Sequence, residues 1–382
     1  MLRQQIEQEI GATGPMPFSR YMEICLYDPV AGYYSRNASQ FGKAGDFYTS
    51  SDVHAVFGRL LARQFEEMWQ ALDRPADLEI LELGPGRGLF ARDVLDWSRK
   101  KFPDFFASLK YTLQESSPAL GQKLAENLRE HIAPGRANIG VATRLAASQG
   151  VEIVRACAPE TPLIVFANEF FDALPVEILS PRGKLHLAVQ GAHLNEIWVR
   201  PRAEELAFLD RHSVLPEGNE RVEVSLAAQA WITEAAKAIQ RGFLVVVDYG
   251  YTRAEQLAGR HRGTLMAFRQ HSASENPYEA PGEQDLTAHV NFTALATQAE
   301  SAGMRTEKLL TQAQFLMGIG EKTAFADAFE GCRLPQERAK VALQLKHLVT
   351  PAGMGETFHV LVANRNADQA KVAGLSGLSF AT

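Results

Sequence analysis

The chain of 382 residues contains only three cysteines, and they lie far apart at Cys25, Cys157 and Cys332. An odd number without CxxC spacing excludes a disulfide framework and a cysteine zinc site, and it fits a reducing compartment. The sequence also lacks HxH, HExxH and DxD spacings, so no metal is expected. The GxSxG turn of many hydrolases is absent as well, which argues against that class of enzyme.

Long apolar runs and clusters of basic residues are absent too. The longest apolar runs, such as Leu163–Ala167 and Phe243–Val247, are far too short to cross a bilayer. The N-terminus, Met1–Ile10, lacks the apolar stretch of a secretory signal, and its acids disfavour a mitochondrial transit peptide. The net charge is −6, from 39 basic and 45 acidic residues, and no Lys/Arg run indicates a nucleic-acid partner. We therefore expect a soluble, cytoplasmic protein without membrane insertion.

Short apolar segments alternate with amphipathic ones along much of the chain. This alternation predicts an α/β fold, with a mostly parallel, Rossmann-like sheet and helices on both faces. The predicted core strands are Leu78–Leu83, Lys110–Gln114, Leu163–Ala167 and Phe243–Val247. A hairpin or meander is predicted over 184–200, and an Ala-rich helix over about 222–241.

The length allows two or three folding units, or one large α/β domain with insertions. Residues 252–292 interrupt the alternation with a polar stretch rich in Gly, Pro and His, which predicts a long functional loop. The predicted division is an N-terminal cap and helix (1–72), a ligand-binding core (73–251), an inserted cap (252–292), and C-terminal helices with the last core strands (293–382).

A glycine-rich turn follows the first predicted strand. The segment Glu82–Gly88 reads ExGxGxG, and Leu89 stands where a dinucleotide-binding GxGxxG motif has its third glycine. The pattern is typical of class I S-adenosylmethionine methyltransferases. The alternative is a tight glycine turn in an unrelated α/β protein. If this segment binds S-adenosylmethionine, the binding turn consists of Glu82, Gly84, Gly86 and Gly88.

Glu115 follows the second predicted strand. In a doubly wound sheet an acid at this place reaches the ribose hydroxyls of a bound nucleotide. Read alone, Glu115 could equally be a solvated residue at the start of the next helix. The combination of strand, glycine turn, helix, strand and acid favours the cofactor interpretation.

The third predicted strand ends in Asn168-Glu169-Phe170-Phe171-Asp172. Two carboxylates beside two aromatic rings suit a cationic ligand, because acids grip a guanidinium bidentately and rings offer cation–π faces. An equally good and compatible reading is a helix start capped by Asn168. Asp46, in the segment Gly45–Ser50, is either catalytic or satisfies a turn. His289 is either structural or a ligand.

These motifs together resemble the MidA family of S-adenosylmethionine-dependent protein-arginine methyltransferases, known in mitochondria as an assembly factor for respiratory complex I. The similar segments keep the family's order and cover most of residues 15–300. They are Gly45–Ser50, Phe57-Gly58, Glu82–Gly88, Asn168–Pro175 (NEFFDALP), Asp248–Tyr251 (DYGY), Gly263–Leu265 and Asp285–Phe292 (DLTAHVNF).

The resemblance implies a class I methyltransferase core under N-terminal and inserted cap segments, and symmetric dimethylation of an arginine on a complex I subunit. Because no transit peptide is visible, we expect a cytoplasmic bacterial protein; in a eukaryote the resemblance implies the mitochondrial matrix. A homodimer stays open. We predict S-adenosylmethionine contacts from Glu82, Gly84, Gly86, Gly88, Glu115 and Asn168, and catalytic roles for Glu169, Asp172, Asp46 and His289.

Three other functions stay compatible with the sequence. The first is methylation of a small molecule in an apolar pocket under the 252–292 segment. The second is a non-catalytic assembly factor that binds S-adenosylmethionine only for structure. The third is a nucleotide-dependent oxidoreductase, which Leu89 disfavours.

Overall fold

The structure is a computed structural model, and it describes residues 1–36, 55–141, 151–191, 193–269, 272–274 and 276–381. The strands, in chain order, are β1 (Met16–Pro17), β2 (Leu78–Leu83), β3 (Leu109–Glu115), β4 (Ala137–Val141), β5 (Leu163–Asn168), β6 (Glu177–Ser180), β7 (Gly183–Gln190), β8 (His193–Val199), β9 (Val222–Val224), β10 (Gly242–Tyr251), β11 (Met266–Arg269), β12 (Ser272–Ser274), β13 (Asp285–Thr287), β14 (Val290–Asn291), β15 (Arg305–Thr306), β16 (Leu310–Thr311) and β17 (Phe358–Arg365).

The helices are α1 (Leu2–Thr13), α2 (Phe18–Tyr27), α3 (Tyr33–Arg36), α4 (Ala55–Ala71), α5 (Leu89–Lys101), α6 (Pro103–Ser108), α7 (Pro118–Asn127), α8 (Arg129–Ile132), α9 (Ala203–His212), α10 (Leu226–Ala238), α11 (Arg253–Leu257), α12 (Phe292–Ser301), α13 (Gln312–Glu321), α14 (Ala326–Phe329), α15 (Pro335–Val349) and α16 (Gln369–Ala373). A 3-10 helix covers Ser376–Ala381.

The main sheet has the strand order β15-β17-β10-β5-β2-β3-β4. The run from β10 to β4 is parallel, whereas β17 pairs antiparallel with β10. The short strand β14 pairs with β10, and the short strand β16 pairs with β17. This architecture confirms the predicted α/β class with a mostly parallel sheet.

Both faces of this sheet are covered, which explains why its strands read as continuous apolar runs. Ile80 and Phe166 point into one cluster, with the aromatic side chains of α4 and α5. Leu81 and Val165 point into the other, which contains Trp231 of α10. Successive side chains of a strand face opposite sides, so one six-residue strand such as β2 serves both clusters.

The N-terminal segment and the inserted segment pack into a third cluster. It joins side chains of α1 and α2 to Ala267, Leu286 and Ala288 of residues 252–292 and to strands β6 and β7. The predicted hairpin is present as the antiparallel pair β7 and β8. The expected long loop instead contains α11 and the small sheet β12-β11-β13, whose strands are too short to show a periodicity.

The predicted helix over 222–241 is shorter in the structure. Val222–Val224 pairs with β6 as strand β9, and the helix begins at Leu226. Ser225 caps it, since its hydroxyl accepts a hydrogen bond from the amide of Ala228 at 3.2 Å. The predicted division of the chain stays a prediction, and the main sheet takes strands from both 73–251 and 293–382.

Phe166 tests the packing between the sheet and its helices. Its ring stacks on Phe90 with centroids 4.6 Å apart and meets Phe65 edge-on at 5.5 Å. Phe166→Ala should lower the free energy of unfolding by about 3–5 kcal/mol, because the cavity left behind cannot collapse fully. Chemical denaturation measures the change. Phe380→Ala, at a ring 39% exposed, should cost less than about 0.5 kcal/mol; equal losses would contradict the proposed core.

Candidate active site

A cavity opens where the carboxyl ends of β2, β3 and β5 meet, the edge at which open α/β sheets bind ligands. Residues from the glycine turn, from the loop after β5, from the N-terminal segment and from β13 surround it. The lining includes Tyr27, Tyr34, Glu82, Gly84, Gly86, Arg87, Gln114, Glu115, Asn168, Glu169, Phe170, Asp172 and Asp285.

The glycine turn has the left-handed backbone that its sequence predicts. Gly84, Gly86 and Gly88 have φ values of 63°, 54° and 71°. A Cβ at Gly84 would lie 2.8 Å from the Phe170 ring, and one at Gly88 3.1 Å from Leu128. A Cβ at Gly86 would meet nothing within 4 Å, although the residue lines the cavity. Gly84 and Gly88 therefore permit packing, whereas Gly86 leaves space for a ligand.

Glu115 lies at the end of β3 and faces the glycine turn. Its Oε1 accepts hydrogen bonds from the amides of Ser116 and Ser117 at 2.8 Å, and its Oε2 accepts one from Gly86 at 3.2 Å. Burial raises its pKa to about 7, while these amides act in the opposite direction. The carboxyl group is thus held in one orientation beside the space at Gly86.

Glu82 is buried at the end of β2. Tyr111 donates a hydrogen bond to its Oε2 at 2.9 Å. Burial, with a smaller contribution from the negative charge of Glu115, raises the pKa of Glu82 to about 8. Without a ligand, this site therefore holds two carboxyl groups whose ionisation is suppressed.

The loop after β5 is fixed by Asp248 of the neighbouring strand β10. The Oδ2 of Asp248 accepts hydrogen bonds from the amides of Phe170 at 3.2 Å, Phe171 at 3.0 Å and Asp172 at 3.4 Å. Glu169 turns the chain with a φ of 49°, an uncommon value for a residue with a Cβ. The loop is a tight turn rather than the helix start that was the second reading of this segment.

Asp172 has one bonded and one open carboxylate oxygen. Its Oδ2 accepts a short hydrogen bond from the hydroxyl of Tyr249. Its Oδ1 is buried and has no hydrogen-bond partner in the described part of the chain, and the same holds for Oδ1 of Asn168. Burial raises the pKa of Asp172 to about 6. Buried polar atoms without partners indicate where a ligand would donate hydrogen bonds.

The lining is strongly acidic. Five carboxylic acids surround the cavity against one arginine, Arg87; they are Glu82, Glu115, Glu169, Asp172 and Asp285. Acids gathered in a buried site suit a ligand that carries positive charge and hydrogen-bond donors. S-Adenosylmethionine fits this site, because its sulfonium and amino group are cationic and its ribose hydroxyls match the carboxylate beside Gly86.

The structure therefore brings eight of the ten predicted site residues to the glycine turn and the cavity. Asp46 lies outside the described residues. His289 lies beyond the cavity wall, with its ring 5.3 Å from Tyr249 and its Nδ1 3.3 Å from Nδ1 of His261. Burial, with the nearby His261 and His359, lowers its pKa to about 4, so His289 is neutral at pH 7.

Several further residues of the site were not among the predicted site residues, and four of them concern the loop after β5 and the N-terminal and inserted segments. Tyr27 and Tyr34 line the cavity from the N-terminal segment, and Asp285 lines it from β13. Asp248, on β10, fixes the loop after β5 through hydrogen bonds from the loop's backbone amides. A signal existed for Asp248 and Asp285, since both begin motifs that resemble the family, DYGY and DLTAHVNF. The two tyrosines carry no such signal.

Within the ranges that the structure describes, no group of three or more His, Cys, Asp or Glu side chains could hold a metal ion. None of the described helices is both long enough and apolar enough to span a membrane.

Comparison with known proteins gives one consistent set of matches. Residues 60–310 match a family described as S-adenosyl-L-methionine-dependent methyltransferases. Protein arginine methyltransferase NDUFAF7 homolog of Drosophila melanogaster is 31% identical over 98% of this chain and 88% of its own length. Human protein arginine methyltransferase NDUFAF7 is 28% identical over 100% of this chain and 90% of its own length. Both are named mitochondrial proteins.

A solved structure extends these matches to the fold and to a ligand. A protein from Burkholderia thailandensis, bound to S-adenosyl-homocysteine, superposes with a TM-score of 0.81 and 26% identity. The match covers 99% of this chain and 94% of that one. A native structure from the same organism gives a TM-score of 0.77 with 27% identity, covering 98% and 93%.

The raised pKa of Glu82 predicts how the ligand-free protein responds to pH. Its pKa is 4.5 for a free side chain and about 8 in the fold, so the folded state binds the proton more tightly. For this group, stability is therefore greatest below about pH 5, falls as pH rises from about 5 to 8 and levels off above 8, with a total loss on the order of 5 kcal/mol. Denaturation between pH 5 and 8 measures the loss.

Glu82→Gln should make the measured decline shallower, because glutamine is neutral throughout and still accepts a hydrogen bond from Tyr111. Glu115 and Asp172, whose pKa values are also raised, still contribute to the decline in the variant. Glu130→Gln, at an exposed position, serves as the control and should leave the decline unchanged. If Glu82→Gln and the wild type lost stability in parallel, the suppressed ionisation of Glu82 would be wrong.

Proposed function

The chain belongs to the family of S-adenosyl-L-methionine-dependent methyltransferases that includes the protein arginine methyltransferases NDUFAF7, and on this premise we propose that it methylates arginine in a protein. Family membership confirms the predicted cofactor, S-adenosylmethionine, and the predicted enzyme class. The product that we propose is symmetric dimethylarginine. The observation that carries the proposal is the acidic cavity beside the glycine turn, since both the cofactor and a guanidinium are cations.

The cofactor side of the cavity is built by the glycine turn and Glu115. Gly84 and Gly86 allow the backbone to approach the ligand, and Gly88 supports the turn as the first residue before α5. Glu115 would accept hydrogen bonds from the ribose hydroxyls. Glu82 and the open oxygen of Asn168 would face the amino-acid part. When bound, S-adenosylmethionine supplies a methyl group carried on a cationic sulfur.

The acceptor side lies at the loop after β5. A guanidinium is protonated at pH 7 and is a poor nucleophile until a base takes a proton from it. Glu169 and Asp172 would orient the group and place its nitrogen in line with the methyl carbon. Asp172 Oδ1 would then take the proton that leaves the nitrogen, while Tyr249 holds the other oxygen. His289 could act only through Tyr249, and Asp46 would join from the N-terminal segment.

The acceptor protein that we propose is a subunit of respiratory complex I. The support for this part is the resemblance of the motifs to the family; the relatives, which are named protein arginine methyltransferases, support the arginine acceptor. In a bacterial cell the reaction would take place in the cytoplasm, and in a eukaryote in the mitochondrial matrix.

A labelled-transfer experiment tests the activity. The purified protein and tritiated S-adenosylmethionine are incubated with lysate of a strain that lacks this gene, and labelled bands are analysed by mass spectrometry. Symmetric dimethylarginine in a labelled protein supports the proposal and identifies the substrate. Label only in the small-molecule fraction would instead favour a small-molecule acceptor. No label at all, with cofactor binding confirmed, would favour a non-catalytic assembly role.

Glu169→Gln should lower the rate of methyl transfer by about tenfold or more, because a neutral amide orients the cationic acceptor less well. The affinity for S-adenosylhomocysteine, measured by calorimetry, should change less than about twofold. The exposed Glu160→Gln is the matched control and should behave as wild type. An unchanged rate for Glu169→Gln with normal cofactor binding would remove Glu169 from the acceptor pocket.

Gly86→Ala should leave a folded protein that binds S-adenosylhomocysteine at least about tenfold more weakly, because the added methyl occupies ligand space. Gly135→Ala is a matched control, since Gly135 has a φ of 72° and open surroundings but does not line the cavity. Both variants should lose stability similarly, by about 1 kcal/mol. Equal cofactor affinities for the two variants would contradict the placement of the ligand at Gly86.

A further inference from the structure

Two tyrosines of the N-terminal segment connect the loop after β5 to the inserted segment. The Tyr27 hydroxyl donates a hydrogen bond to the carbonyl of Ala173 at 2.8 Å, next to Asp172. The Tyr34 hydroxyl donates one to Oδ1 of Asp285 at 3.3 Å. The two rings lie 5.5 Å apart at an interplanar angle of 31°. Both rings line the same cavity as Asp172 and Asp285, and we call this pair of rings the Tyr27–Tyr34 wall.

Asp285 reaches the cavity from a different element than Asp172. It is the first residue of β13, pairs with Phe268 of β11, and is 3% exposed. The inserted segment is held close to the N-terminal segment here, because a Cβ at Gly282 would lie only 2.3 Å from the carbonyl oxygen of Ala31. Asp285 therefore lies on a paired strand just after a point where the inserted segment packs closely against the N-terminal segment.

Asp172 supplies the second carboxylate. It is 6% exposed, lines the same cavity, and its Oδ1 has no partner among the residues described. The amide of Ala288 donates to the backbone carbonyl of Asp172 at 3.0 Å, so the inserted segment is tied directly to this loop. The buried Oδ1 of Asp172, which faces no donor among the residues described, favours a ligand that donates a hydrogen bond to it.

We propose that Asp172 and Asp285 together bind the guanidinium of the acceptor arginine against the Tyr27–Tyr34 wall, and that Asp285 gives the site its preference for arginine over lysine. This inference rests on the proposed function. A guanidinium is planar and presents five N–H donors, so it can lie on the aromatic wall and donate toward carboxylates on two sides. An ammonium group is compact and strongly hydrated, and it gains less from a second carboxylate and a flat wall.

Binding of side-chain mimics tests this inference without a known substrate. The probes are n-propylguanidinium and n-butylammonium, titrated by NMR into the protein saturated with S-adenosylhomocysteine. The wild type should bind n-propylguanidinium about tenfold more tightly than n-butylammonium. Asp285→Asn should weaken the binding of n-propylguanidinium by about tenfold and bring the ratio of the affinities for the two probes close to one. Affinity for S-adenosylhomocysteine should stay within about twofold.

Glu283→Gln is the matched control, because it removes one negative charge two residues away at an exposed side chain paired with Arg269. Glu283→Gln should leave the affinities for both probes unchanged. Tyr34→Phe removes only the hydroxyl that bonds Asp285 and should weaken n-propylguanidinium by about threefold. This variant decides the question if Asp285→Asn does not fold, as judged by loss of S-adenosylhomocysteine binding.

The outcomes separate this inference from the proposed function. If the wild type selects n-propylguanidinium while Asp285→Asn and Tyr34→Phe bind it equally well, the role of Asp285 is overturned and arginine remains the acceptor. If the wild type binds S-adenosylhomocysteine but neither selects nor binds n-propylguanidinium, the arginine acceptor itself is overturned.

Discussion

A single buried carboxylate, that of Asp248, holds the loop after β5 in place beside the cavity. Asp248 lies on β10, is fully buried, and accepts hydrogen bonds from the backbone amides of three consecutive residues of the neighbouring loop. Burial, followed by the charges of Asp172 and Glu169, raises its pKa well above the ordinary value. Those amides offset part of that penalty, and they direct Glu169 and Asp172 toward the cavity. The loop geometry therefore depends on the parallel pairing of β5 with β10.

The acids of the cavity form a second constraint, because like charges in a buried space disfavour one another. The raised pKa values of Glu82, Glu115 and Asp172 share one main cause, desolvation. A cationic ligand reverses that balance, since its charge favours the ionised carboxylates. The cofactor contacts that we propose would therefore couple cofactor binding to proton release from these carboxyl groups.

The cap is a single packed layer built from two distant parts of the chain. The N-terminal helices and the inserted small sheet share one hydrophobic cluster, which rests on strands β6 and β7. Because Tyr27, Tyr34 and Asp285 belong to that layer, the acceptor pocket that we propose requires both parts to be docked. In that proposal the core carries the methyltransferase chemistry and the N-terminal and inserted segments select the acceptor.

The sequence alone determined the elements with strong local patterns. Strand β2 has the predicted bounds, because an apolar run that ends in a glycine turn leaves little choice. Glu115 and the pair Glu169 and Asp172 could be placed at the sheet edge, since parallel strands end together. Only the tertiary structure brought Tyr34 to Asp285, 251 residues away. Such a contact depends on how the N-terminal and inserted segments pack against each other, and no local periodicity in the sequence predicts that packing.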